Sequence, residues 1–147
     1  WGEQLMTQHG VRAAGTVMAR DFVFSRLYAE PADGPPAYSD LGFILLGQVV
    51  ERAFDLGLDQ AFYRFVAGPL GTGLRFVPVD SGQPLDTLDR VAATRSTTLR
   101  GRIRGVVDDD NASVLGGVAG HAGLFGTAAD VHRVIAAWLD AFHGRDS

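Results

Sequence analysis

Apolar residues recur with helical spacing in two long stretches of the chain. From Leu41 to Phe54 the polar positions are few. Gln48, Glu51 and Arg52, with Asp55 just beyond, fall on one face, and the rest is Leu, Phe, Ile, Val, Ala or Gly. This pattern predicts a helix with most of its surface buried. Ser39 or Asp40 is its natural N-cap, because a short side-chain oxygen accepts from the first free N–H groups, and Gly57 is its expected stop. The second stretch places Val131, Val134, Ile135, Trp138, Leu139 and Phe142 at i, i+3, i+4, i+7, i+8 and i+11. Thr127 is its predicted cap, and Asp130 supplies an aspartate version of the capping box.

Weaker patterns lie around these two. Asp59 to Val66 predicts a shorter helix with Phe62, Phe65 and Val66 inward, broken by Gly68-Pro69-Leu70-Gly71. Phe76 to Val79 predicts a short extended piece, and the alternation of Arg100, Arg102 and Arg104 predicts a strand or loop edge. Residues 1–37 carry little pattern beyond a short helix at Asp21–Tyr28 and a stiff loop at Pro31, Gly34, Pro35 and Pro36. Residues 116–126 are a glycine-rich loop, with glycines at 116, 117, 120, 123 and 126 leaving the backbone free to take positive φ.

Composition narrows the reading. The chain has 147 residues, 46% hydrophobic, which suits one core of ordinary size. A net charge of −4 argues against a general affinity for nucleic acid. The longest apolar stretch, Leu41 to Leu46, is too short to span a bilayer. Without cysteine, disulfides and thiolate-bound zinc are excluded, and the compartment stays open. All 13 basic residues are arginine, so there is no lysine to serve as an amine base. The chain opens on Trp1 with no signal-peptide pattern, as a processed product or an excised piece of a longer chain would.

Two places can carry chemistry. Tyr38-Ser39-Asp40 sits where a proline-rich loop meets a helix start, a rigid position for a reactive side chain. A tyrosine there accepts a proton if cations lower its pKa from about 10, and Asp40 can hold such a cation. Equally, Asp40 caps the helix and Tyr38 packs. The second place is His121 in its glycine loop, read either as base, ligand or donor, or as a satisfied polar residue in a tight turn. Asp108-Asp109-Asp110 lacks the spacing of an EF-hand and reads as a solvated acidic turn that offsets the arginines nearby. No metal or cofactor site is assigned. His132 and His143 read as surface residues.

Two segments together resemble the serine beta-lactamase-like hydrolases, the family of class C beta-lactamases, DD-peptidases and related esterases. YSDLGFILLGQVVERAF, continuing to FYRFVAGPLGTGLRFVP, is similar to the family's Y-x-N region. RGRIRGVVDDDNASVLGGVAGHAGLFGTAADVHRVIAAWL is similar to a later segment, and LMTQHGV near the start matches loosely. The resemblance implies a mainly helical chain within an α+β family fold, the helical subdomain with little of the antiparallel sheet. It further implies acyl transfer through a covalent intermediate, with the serine of S-x-x-K as nucleophile and a K-T-G-like strand completing the site. On this resemblance Tyr38 takes the place of the proton-shuttling tyrosine and Asp40 that of the asparagine, while His121, Ala122 and Gly123 border the substrate cleft. Residues 1–147 then form a partial domain whose S-x-x-K and K-T-G segments lie outside it.

The expected function is thus part of a serine hydrolase acting on an ester, amide or beta-lactam, inactive as the isolated chain. The alternative is a non-catalytic helical binding module. The expected partner is a small-molecule or peptide substrate, with no nucleic acid and no membrane span. Self-association through the apolar stripe of the last helix is also expected, since large side chains left in water each forfeit about 1.5–3 kcal/mol. Many relatives act on cell-wall material outside the cytoplasm; the sequence itself does not assign a compartment.

Overall fold

The computed structural model describes residues 38–79, 91–93 and 104–145. The expected helix at 21–28, the proline loop at 31–36 and the alternation at Arg100 and Arg102 lie outside these residues. The described elements are α1 (Asp40–Phe54), α2 (Leu58–Phe62) running into a π-helical turn (Tyr63–Ala67), β1 (Arg75–Phe76), α3 (Asp110–Val114), β2 (Leu124–Phe125) and α4 (Ala128–Phe142). The chain is mainly helical, and its one described sheet is an antiparallel pair with Arg75 opposite Phe125 and Phe76 opposite Leu124.

Helix α1 starts at Ser39, whose side chain accepts from the Leu41 N–H. It stops at Asp55 rather than Gly57. Asp55 takes a left-handed conformation at φ 51°, which a short polar side chain tolerates, and its N–H returns to the Glu51 carbonyl. Gly57 instead begins α2. A glycine has no side chain to cap with, so neighbours supply the acceptors. The Leu58 N–H donates to Glu51 Oε1 at 2.9 Å and the Gly57 N–H to Gln60 Oε1 at 3.3 Å.

The core is small. Ile44 of α1 meets Val107, Ala112, Leu115 and Ala119, with Leu41, Leu45 and Ala122 packed around them. Contrary to the expectation that most of α1 is buried, only Ile44 and Gly47 of that helix are, while Phe43, Leu46, Val49 and Phe54 are exposed. Helix α1 presents one narrow stripe to the described core, so its other apolar positions find no cover there. Phe65 also faces outward, against the expectation, and lies over Phe54 with ring centroids 4.5 Å apart. The helix widens into a π turn at Tyr63, and the buried positions here are Ala61 before it and Ala67 at its end. On α4 the stripe forms as the sequence predicts but none of its residues is buried; Trp138 and Phe142 are 72% and 78% exposed.

One carboxylate ties distant segments together. Asp130 completes the predicted capping box with Thr127, accepting from its N–H at 2.9 Å and its hydroxyl at 2.7 Å. It also accepts from the Gly73 N–H at 2.8 Å and the Thr72 hydroxyl at 3.1 Å. Arg133, one turn on, donates to the Gly71 carbonyl at 2.7 Å. The turn that leads into β1 is thereby fastened to the start of α4. The Thr127 hydroxyl, followed by the Gly73 and Thr127 N–H groups, holds the Asp130 carboxyl far below the usual carboxylate range. A lowered native pKa means stability that is fully present above the unfolded value near 4 and lost as pH falls toward the native value. Asp130→Ala is expected to lower the thermal midpoint at neutral pH, and the gap to the parent chain should narrow as melts are repeated below about pH 4. A gap that stays constant with pH would contradict this role.

Candidate functional site

The glycine loop owes its position to close backbone approach. A Cβ on Gly120 would run into the Phe43 carbonyl of α1, and one on Gly47 would press on the Gly120 backbone at 3.3 Å. Gly123, at φ 115°, leaves no room for a side chain beside the Gly117 carbonyl, and Gly117 itself sits at φ 85°. These are the positions where the sequence needs glycine, for a left-handed backbone or for contact at backbone distance. The Ala119 N–H donates to the Ala122 carbonyl at 3.3 Å, closing a turn with His121 inside it.

His121 thereby reaches Asp109. Its Nε2 lies 2.9 Å from Asp109 Oδ1, and its side chain is only 3% exposed. The same Oδ1 accepts from the Ala112 N–H at 2.7 Å, so Asp109 is also the N-cap of α3. The expectation of a merely solvated acidic turn at 108–110 is therefore corrected: Asp109 is partly buried and engaged on two sides. Burial acts to raise its carboxyl. The bond from Ala112, the bond and charge of His121 and the Asn111 N–H act the other way, and the net pKa lies below the usual value.

Asp40 completes the group. Asp40, Asp109 and His121 each place a ligand atom within 4.8 Å of the other two. A cation would find two carboxylates and an imidazole here. Yet His121 and Asp109 already satisfy each other by a hydrogen bond, and the other ring nitrogen, Nδ1, has no partner to orient it as a metal-bound histidine usually requires.

Tyr38 stands at the rim, 77% exposed, with its ring 5.7 Å from Phe43. Its pKa is raised above the ordinary tyrosine value, first through its hydrogen bond to Asp40, then by desolvation and the Asp40 and Asp109 charges. The sequence reading of a proton-accepting tyrosine requires cations nearby. Cations would lower the value; the charges facing this phenol are carboxylates.

The structure thus brings Asp40 together with Asp109 and His121, and Tyr38 bonds to Asp40 beside them. Ala122 packs on the core and Gly123 is buried. His121, Ala122 and Gly123 share an open cavity of about 400 Å³ with Leu58, Phe62, Phe76 and Leu124. Phe62 and Phe76 meet edge to face across it at 5.8 Å. His132 and His143 are exposed on or beside α4, as expected. Asp109 is the residue that sequence reasoning missed. Its signal was a cap pattern, an aspartate just before a short helix, hidden inside a run of three.

The beta-lactamase family model matches residues 6–145. The chain belongs to the beta-lactamase family. No curated protein sequence matches it, and no solved structure does. In this family member, no helix among the described residues is long and apolar enough to cross a membrane.

The charge arrangement gives a direct test. With tyrosine isotope-labelled at the phenol carbon, Tyr38 should titrate above a free tyrosine, and Asp40→Asn should move it downward. A Tyr38 titration unchanged by Asp40→Asn would show that the carboxylate does not govern the phenol.

Proposed function

We propose that this chain supplies the tyrosine side of a serine hydrolase cleft that works by acyl transfer. The observation that carries the reading is convergence. Asp40, which bonds Tyr38 in the segment that resembles the family's Y-x-N, shares one cluster with His121, more than 80 positions later in the chain. In the proposed reaction a serine attacks the substrate carbonyl and Tyr38 moves the proton between serine and leaving group. The nucleophile and its lysine come from S-x-x-K polypeptide beyond these residues, as does the K-T-G-like strand.

The geometry makes the dependence specific. Asp40 and Asp109 make Tyr38 hold its proton more tightly than a free phenol does. The described charges facing Tyr38 raise its pKa, which works against its use as a base. An ammonium brought beside it would pull the value back down, which is the part the family's lysine plays in this proposal. The 147 residues contain no lysine, so the isolated chain is expected to be inactive. A serine-reactive phosphonate should leave it unlabelled, and should label the S-x-x-K serine once the rest of the polypeptide is present. Labelling of the isolated chain would overturn the reading; failure of both would favour a non-catalytic helical binding module.

Asp40 bears on substrate class. An ionised aspartate only accepts hydrogen bonds, whereas asparagine also donates and so can hold a substrate carbonyl. We propose that the intact enzyme favours esters or peptides over beta-lactams. In the intact enzyme Asp40→Asn should raise beta-lactam turnover relative to ester turnover, and an unchanged ratio would remove this assignment.

A further inference from the structure

Among the described residues, His121 Nδ1 is the buried side-chain polar atom left without a hydrogen-bond partner. Its environment explains which nitrogen carries the proton. Asp109 is ionised and can only accept, so the ring atom facing it must bear hydrogen. The oxygen that receives Nε2 is not free to turn away, because the Ala112 N–H holds the same Oδ1 at 2.7 Å. The ring belongs to the turn closed by the Ala119 N–H and the Ala122 carbonyl, and the His121 side chain is only 3% exposed.

We infer that Asp109 is a positioning residue: by holding Nε2–H of His121 from its place at the start of α3, it fixes one tautomer, with Nδ1 unprotonated and enclosed, and so sets the imidazole in the wall of the cavity that His121 shares with Ala122 and Gly123. Asp109 itself touches no reacting group in this scheme; it acts through His121. The inference rests on the hydrolase reading only for its effect on turnover, since the tautomer is a property of this chain alone.

Two substitutions separate positioning from capping. Serine caps helices well but is too short to hold the imidazole, so Asp109→Ser keeps α3 and releases His121. Asparagine keeps an oxygen under the Ala112 N–H, and that oxygen can still receive Nε2–H. With histidine nitrogens isotope-labelled, and at alkaline pH where imidazoles are neutral, the parent chain should show His121 as the Nε2–H tautomer. Asp109→Asn should retain that signature and Asp109→Ser should give a mixture. An Nδ1–H tautomer in the parent chain, or an unchanged Nε2–H signature in Asp109→Ser, would overturn the inference. The parent measurement decides even if Asp109→Ser fails to fold. In the intact enzyme Asp109→Ser should lower kcat/KM by roughly 10- to 100-fold, the scale of a misplaced contact group, with Asp109→Asn restoring most of it. Loss of the tautomer without loss of turnover would leave the positioning intact and count against the hydrolase reading.

Discussion

The site depends on the contact between the backbone of Gly120 and helix α1. Phe43, Gly47 and Gly120 meet without room for a side chain between them. That contact sets the depth at which the 119–122 turn rests on α1, and hence where His121 ends. Were the turn held further out, His121 would lose Asp109, and Asp40 and Asp109 would no longer lie beside one imidazole. The catalytic-looking cluster is thus a consequence of glycine placement, and the polar contacts follow from it.

Much of this was legible from the residues. Helix α1, its cap at Ser39, helix α4 and the Thr127–Asp130 capping box all follow from periodicity and short-range hydrogen bonding, which are local properties. The failures are non-local. Glycine commonly ends helices, which points to Gly57, yet Asp55 accepts the left-handed turn two residues sooner. Phe65 was placed inward by a 3.6-residue period, which the π turn at Tyr63–Ala67 breaks. Asp109 looked like one of three solvated carboxylates, because nothing in its neighbourhood announces a histidine 12 positions away. The second set of bonds to Asp130, from Thr72 and Gly73, was hidden for the same reason.

Charge gives the cleft its character. Family resemblance implies a tyrosine that carries a proton between serine and leaving group. The described surroundings of Tyr38 are acidic, and Asp40 and Asp109 raise the phenol's pKa. Base behaviour then requires a positive group beside the phenol, and this sequence has no lysine to place an ammonium there, which is why the absence of one residue type bears on mechanism. Asp40 has a double effect here: it caps nothing, that task falling to Ser39, and is free to bond the phenol and join Asp109 and His121.

The most direct measurement is a crystal structure of the intact polypeptide carrying a phosphonate adduct on its serine. The account predicts the adduct beside the Tyr38 hydroxyl, with the His121 turn forming the adjoining wall and Asp109 still on Nε2. An adduct lodged away from Tyr38, with the 119–122 turn lining no part of its pocket, would contradict it.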